Sequence, residues 1–380
     1  MHKGAKMKRM ILVAAALAFC SMLPVELQAE TTGKPKTGVE GEKEQPRPTP
    51  AVKAPAQKAP KAIQRWVDWQ VGSVESRYRW IENSADVVTS DSLQHKQAFK
   101  AGFKFDAEGK YSLQAMAGTG NSFIGSWDNL GPGIGDPVWT FNLRQLYLQA
   151  QPIKGVEATW GGQALNRGEH TEITSFDNDN YVLAGRVSVK RPKDLYFDEL
   201  SISAGYLGDL NTPNVIKRFD RWDEHNYTQV LVGKKFGKIV ALSADWTDLN
   251  EISTLRQAVK VTTKQWTPIV DAVRFENYQQ IEGVEAYGFS TAVEKAVHPK
   301  VVLAGGYADI DPAQGVLNGD RYIRGKRFFV EPKYQVLPEL TVSLFYTKAF
   351  DNAFSVANDQ RFDVVVQYNV LKALQKVGAW

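Results

Sequence analysis

The chain has 380 residues, a formal net charge of +4, 43% hydrophobic residues and one cysteine. Beyond the N-terminus it contains no run of about 18 apolar residues, which excludes a bundle of membrane-spanning helices. The basic excess is too small to point to nucleic acid. The mean hydropathy of −0.33 leaves open a sheet protein in which every second residue meets water.

Residues 1–29 read as a secretory signal peptide. Lys3, Lys6, Lys8 and Arg9 form a basic start, Met10 to Leu23 an apolar core, and Leu27-Gln28-Ala29 a cleavage site. Cys20 lies inside that core. The bulky Phe19 before it fits lipid attachment badly, so simple cleavage is the reading adopted. The mature chain then holds no cysteine, and its stability comes from hydrogen bonding and packing. In residues 30–62, Pro46, Pro48, Pro50, Pro55 and Pro60 are interleaved with Lys and Ala. Such a composition cannot bury a core and predicts a disordered Pro/Lys-rich tether. Composition favours a spacer over a basic segment that touches the cell wall or lipid head groups.

From residue 63 to residue 380 one pattern recurs: short stretches with apolar residues at every second position, the period of a strand with two unlike faces. Val67, Trp69 and Val71 alternate, the phase slips at Gly72 as at a bulge, and Val74, Tyr78 and Trp80 resume it. Phe99, Ala101, Phe103 and Phe105 turn at Asp106–Gly109 into Tyr111, Leu113, Ala115 and Ala117. Trp139 to Gln151 has a mixed phase and turns at Pro152–Gly155 into Val156, Ala158 and Trp160. Tyr181, Leu183, Val187 and Val189 lead to Ile202, Ala204 and Tyr206. The clearest hairpin is Asn226 to Trp246, where Val240, Leu242, Ala244 and Trp246 follow a tight turn at Phe236-Gly237. Leu255, Val259 and Val261 then pair with Ile269, Val273 and Phe275, and Tyr287 to Val293 with Val301 to Tyr307. Phe328 to Tyr334 pairs with Leu340 to Tyr346, and Phe362 to Val370 closes the series.

The arms are about ten residues long, enough for a tilted strand to cross a bilayer. About 16 strands are expected, with 14 as the alternative. Connections alternate short and long. The long ones are Glu82–Gln94, Asn121–Val138, Asn166–Asn180, Asp209–His225, Asp309–Asp320 and Asp351–Gln360. Aromatic residues collect at the long-connection ends of strands: Trp80, Trp139, Tyr181, Tyr206, Tyr227, Trp246, Tyr307, Tyr346 and Phe362. A belt at a membrane–water interface accounts for that placement. The fold class expected is therefore all-β, a transmembrane antiparallel up-and-down β-barrel.

On this pattern, residues 63–380 resemble an outer-membrane porin-like β-barrel of Gram-negative bacteria. The hairpin from Arg144 to Gly162 (RQLYLQAQPIKGVEATWGG) is also loosely similar to those of alginate-export barrels. Trp380 matches the usual terminal aromatic residue, although Lys372 to Trp380 breaks strict alternation. The resemblance implies a location in the outer membrane, contact with outer-membrane lipid, insertion by the barrel-assembly machinery, and passage of small polar solutes. It implies no cofactor, and it leaves a homo-oligomer open.

If phase sets facing, the polar partners of the apolar stripes point into the barrel. They are Glu75, Arg77, Arg79, Lys100, Lys104, Glu157, Arg186, Asp245, Arg256, Lys260, Lys264, Arg274, Glu276, Arg327, Glu331, Lys333, Arg361 and Asp363. Basic residues outnumber acidic ones, which suits either a pore with mild anion preference or cross-strand ion pairs that fill the interior. Closure must bring first and last strands together, and predicts Arg77 or Arg79 beside Asp363. Arg256, Lys260 and Lys264 would face Arg274 and Glu276.

Sharper chemistry finds little support. Phe176–Asn180 (FDNDN) lacks the spacing of a calcium loop, and the scattered His95, His170, His225 and His298 lack zinc-ligand spacing. Ser175, His170 and Asp177 are better explained as common polar residues of one loop than as a hydrolase triad. Asn211–His225 is amphipathic, with Ile216, Phe219 and Trp222 three apart. It predicts a short helix over the rim or a loop narrowing the pore, and the Gly-rich Asn121–Val138 is second in line as a constriction. The expected function is passive diffusion of small hydrophilic solutes. The alternative is a non-conducting barrel whose long loops bind a ligand or partner, and an enzyme finds no support.

Overall fold

The computed structural model describes residues 66–122, 125–169, 171, 181–190, 196–208, 211–313, 324–350 and 359–377. The signal peptide with Cys20, the tether, His170, Ser175, Phe176–Asn180 and Trp380 lie outside the described residues. The strands in chain order are β1 (Val67–Glu82), β2 (Val88–Lys104), β3 (Tyr111–Gly118), β4 (Asp128–Gly133), β5 (Asn142–Ile153) and β6 (Val156–Gln163). Then come β7 (Val182–Val189), β8 (Glu199–Tyr206), β9 (Tyr227–Phe236), β10 (Val240–Leu249), β11 (Ile252–Thr262) and β12 (Ala272–Gln280). The series ends with β13 (Ala286–His298), β14 (Val301–Ile310), β15 (Gly325–Leu337), β16 (Leu340–Ala349) and β17 (Gln360–Asn369).

Neighbours in sequence are neighbours in the sheet, all antiparallel, and β17 bonds β1 from Asn369↔Ser73 to Gln360↔Glu82. The sheet therefore closes and leaves no open edge, the condition for strands to exist in hydrocarbon. β3 bonds β2 from Ala98 to Lys104, while β4 bonds β2 further out, at Ser92, Gln94 and His95. β3 and β4 thus share one place in the wall, interrupted by residues 119–127, and the barrel has sixteen strands.

The alternation decides facing. On β10, Trp246 shares one face with its cross-strand partners Val230 and Leu255, and Asp245 shares the other with Leu231 and Arg256. Around the barrel one face carries Val74, Leu148, Val187, Ile202, Phe275, Val293 and Leu344 exposed, and the opposite face carries the charges. The apolar face is the outer one. Two phase irregularities are bulges. The register shifts between Trp69 and Val71, so the extra residue is Gln70, two positions before the expected slip at Gly72. The mixed phase after Trp139 has a second cause: the register shifts opposite Met116 and Ala117, and Arg144 is the extra residue.

Short turns gather at one end, as between Ile153 and Val156, His298 and Val301, and Leu337 and Leu340. The other end is mixed. β3 and β4, β6 and β7, and β8 and β9 are joined by long connections, but β10 joins β11 through Asn250 and Glu251 alone, both with positive φ (51° and 67°). That is the geometry of a two-residue hairpin turn. β17 ends at Asn369, whose side chain accepts the Lys372 N–H and caps a helix at Val370–Lys376. The broken alternation after Lys372 is therefore a helix, tied back by Lys376 Nζ to Glu339 at 2.9 Å.

Candidate pore

The charged residues converge on the inner face. At the seam Arg79 donates from Nε and Nη2 to the two carboxylate oxygens of Asp363, at 2.9 and 2.8 Å, and Arg361 Nε donates to the same carboxylate at 2.9 Å. Arg77 is not the partner: it lies opposite Val365 and Gln94, and donates to Gln94 Oε1 from Nε at 2.9 Å. On β10 and β11, Asp245 accepts from Arg256 Nη2 at 2.6 Å and Nε at 2.9 Å, both side chains buried. Lys260 lies across from Arg274, and Ala258, one inner-face position along, lies across from Glu276. Glu157 accepts from Gln149 and Gln151, Arg186 donates to Ser203, Glu75 accepts from Gln367, and Lys333 pairs with Glu331 at 3.1 Å. Arg327 is fully buried on the inner face. Lys100 and Lys104 continue the β2 row that includes Lys96. Lys264 corrects the expected row: β11 ends at Thr262, so it sits in the turn beyond the wall.

Exposure divides this lining. Towards the long-connection end Arg77, Asp245, Arg256, Glu276, Arg361 and Asp363 are all buried. An apolar cluster of Tyr278, Ala292, Ala308, Ile310, Phe329 and Phe345 fills inner-face positions there, and Arg361 sits over the Phe345 ring at 5.1 Å. Towards the short-turn end Glu75, Lys96, Lys100, Lys104, Lys260, Arg274, Glu294 and Lys333 keep partial exposure. A cavity of about 420 Å³ lies there, lined by Arg274, Glu294, Lys300, Glu331 and Lys333 among others, and another of about 410 Å³ by Glu75, Lys96, Lys100 and Gln145. Among the described residues no cluster of three or more His, Cys, Asp or Glu is disposed to hold a metal ion.

The inward connection is not the one the sequence singled out. Residues 164–169 follow the inner wall strand by strand. The Ala164 carbonyl accepts from Arg186 on β7 (2.5 Å), that of Asn166 from Gln229 on β9 (2.9 Å), and that of Glu169 from Ser243 on β10 (2.7 Å). The Glu169 carboxylate meets Lys235 at 2.9 Å. Here a guanidinium, an amide and a hydroxyl on the wall serve backbone carbonyls of the loop, a pattern without period and so invisible to phase reading. The Gly-rich connection also turns partly inward. Trp127 lies over the Arg77 guanidinium at 4.0 Å, and Arg144 donates to the carbonyls of Thr119, Ser122 and Gly125.

Asn211–His225 goes the other way. It forms a 3₁₀ helix at Val215–Arg221, capped by Asn214, that lies on the outer face. Phe219 stacks near Trp160 at 6.3 Å, Arg218 covers Tyr181 at 4.7 Å and Arg221 covers Tyr206 at 5.5 Å. A Cβ on Gly162 would stand 1.9 Å from Val215, so only glycine admits the helix this close. Of the expected belt, Trp80, Tyr206, Trp246, Tyr307, Tyr346 and Phe362 have outer-face partners. Tyr181 is fully buried beneath the helix rather than at an interface. Trp139 precedes β5, its ring 4.3 Å from that of His95. Tyr227 is a correction: it pairs with Gly205 on the inner face, is 2% exposed, and donates its hydroxyl to Gln229. A second set of exposed aromatics lies at the short-turn end, where none was expected: Trp66, Trp69, Phe103, Phe105 and Tyr111 together on or beside β1 to β3, and Trp266 between β11 and β12.

A closed sixteen-strand antiparallel barrel with a polar inner face, an apolar outer face and a connection folded inward is the porin fold. No protein-family model and no curated protein matches the chain. Among solved structures the chain is similar to a variant of the Rh. blastica porin, with 12% identity and a TM-score of 0.53 over 80% of this chain and 99% of that one. It is similar also to OmpF of Salmonella typhi in complex with daunomycin (12%, TM-score 0.50, 80% and 97%). An engineered protein described for asymmetric conductivity aligns over 80% of this chain and 100% of its own, at 12% identity and a TM-score of 0.54.

Proposed function

We propose that this protein is an outer-membrane channel through which small hydrophilic solutes diffuse passively, with a mild preference for anions. The observation that carries the reading is the closed wall with opposite faces: apolar and aromatic outside, charged and half-exposed inside towards the short turns. Charged side chains at such positions need water or a polar solute. Lys96, Lys100, Lys104, Lys260, Arg274 and Lys333 outweigh Glu75, Glu157, Glu294 and Glu331 there, and this sets the expected selectivity. The reading includes export through a cleaved signal peptide, insertion by the barrel-assembly machinery, and assembly of copies in the membrane. A second reading, a non-conducting barrel that binds through its loops, draws support from the buried outer half and the inward run of residues 164–169. Single-channel recording across a salt gradient separates them. The channel reading expects discrete steps and a reversal potential displaced towards the chloride potential, reduced in Lys100→Glu. A protein that inserts but passes no current would favour the second.

A further inference from the structure

On the inner face of β1, β2, β3 and β5 the register stacks short rows of side chains. Glu75 lies across from Lys96, Ser73 from Ala98, and Val71 from Lys100. The Lys100 row continues through Met116 to Gln145, and one row nearer the short turns Gln114 lies across from Tyr147. The lumen cavity of about 410 Å³ lies against these rows, with Lys96 and Lys100 in its lining. Each of the two lysines also reaches an aromatic ring next to the cavity. Towards the long-connection end Trp127 lies between Arg77, at 4.0 Å, and Lys96, at 5.9 Å. Towards the short turns the Lys100 ammonium stands over Tyr147 at 5.3 Å.

This lining differs from that of the other cavity in the same half of the lumen. There Lys333 is held by Glu331 at 3.1 Å, and no described aromatic residue borders the space. Here two ammonium groups meet one carboxylate, Glu75, which already accepts from Gln367 at 3.2 Å. Among the described residues no carboxylate lies within ion-pairing distance of Lys100, which meets the Tyr147 ring instead. An ammonium resting on a ring keeps its charge, and its other N–H donors stay available to a further partner. The remaining lining is in part apolar: Val71, Ala98, Met116 and Leu371, the last brought there by the helix after β17. Two cations beside an apolar floor match a solute with one carboxylate and a flat apolar body. A small inorganic anion gains nothing from the apolar side, and an uncharged sugar leaves the ammonium groups without a counter-charge.

We propose that this lumen cavity binds an aromatic monocarboxylate. Its carboxylate accepts from Lys96 and Lys100, and its ring packs on Met116 and Leu371 with Trp127 and Tyr147 at either end. Tyr147 is a positioning residue, acting through Lys100. The inference deepens the channel reading by naming a solute class, and it rests on that reading for a lumen open to solutes.

The test uses the purified full-length barrel in a neutral detergent, titrated with 4-fluorobenzoate and followed by fluorine NMR. Binding is expected to saturate, and to be displaced by benzoate but not by acetate at the same concentration. Lys100→Gln is expected to weaken it roughly tenfold, the worth of one charge-assisted hydrogen bond. Tyr147→Leu, which takes the ring from beneath the Lys100 ammonium, should weaken it roughly threefold. Lys300→Gln, in the other cavity, should leave it unchanged. Single-channel current of the same proteins is recorded in parallel, with and without benzoate. No saturable binding, equal displacement by acetate, or equal weakening in Lys100→Gln and Lys300→Gln overturns the inference even if the channel conducts chloride. Saturable binding weakened in Lys100→Gln and kept in Lys300→Gln upholds it even if no current flows, which would count against the channel reading alone.

Discussion

Two arcs of the same wall, β5 to β8 and β12 to β16, are built on the same alternation and end up in different surroundings. In the first, outer-face Leu183, opposite Gly162 beneath the 3₁₀ helix, is 4% exposed, and on the inner face Arg186 meets the inward run of residues 164–169. In the second, Leu303 keeps 39% exposure and the outer face shows its aromatic side chains bare. Strand phase fixes which way a side chain points. What it meets there is set by the long connections, which carry no period of their own.

The largest effect is expected inside the wall, between the two arcs. Asp245→Ala would leave the buried Arg256 guanidinium without the carboxylate that accepts from its Nε and Nη2, a loss of about 3 kcal/mol. Heat-dependent gel mobility should show a clearly lowered unfolding midpoint. A variant as stable as wild type would mean that water reaches Arg256.

Within the shielded arc, Gly162→Val should displace the 3₁₀ helix, since even a Cβ would stand 1.9 Å from Val215. The expected cost is about 1–3 kcal/mol, with new trypsin cleavage at Lys217 or Arg221. The equivalent change at Gly185, where nothing lies within 4 Å, should do neither. In the bare arc, Phe289→Ala removes a ring that contacts two others and should cost about 1 kcal/mol. Its effect should be felt in lipid more than in the folded interior.

The smallest effect is expected at the short-turn end. The Glu339 carboxylate is held below its ordinary range by the hydrogen bond from Lys376, and Asp271 by the Ala296 N–H and then Lys295. A lowered carboxylate contributes stability above its unfolded value and loses it as pH falls through the folded one. Glu339→Gln should therefore melt slightly below wild type near neutral pH, and the gap should close as both are acidified below the carboxylate range. A gap that widens on acidification would contradict the assignment.

Much of the wall was legible from residues alone. The Asn226–Trp246 hairpin, the strand number and the Arg79–Asp363 meeting at the seam all follow from a period of two plus closure. Three things escaped. Tyr227 begins its strand like the belt residues, but its position is odd in a strand whose outer face is even, and a weak phase before the turn hid that. Arg144 sits in a bulge, so its phase reads as noise until the partner register is known. Residues 164–169 enter the barrel on backbone carbonyls that accept from Arg186, Gln229 and Ser243; phase placed Arg186 inside, but nothing in it showed that a connection would meet it there. The site was legible as a set of charges, and its division into a packed outer half and an open lower half was not.

On the channel reading, adjacent residues of one strand face water and lipid by turns, and the water is a conducting path. Lys260 and Val259 on β11 test it, inner and half-exposed against outer. Lys260→Cys and Val259→Cys would each be recorded in a planar bilayer while a charged, membrane-impermeant thiol reagent is added. A stepwise change in single-channel current is expected for Lys260→Cys and none for Val259→Cys. A change at Val259→Cys alone, or no response at Lys260→Cys in a channel that conducts, would contradict it.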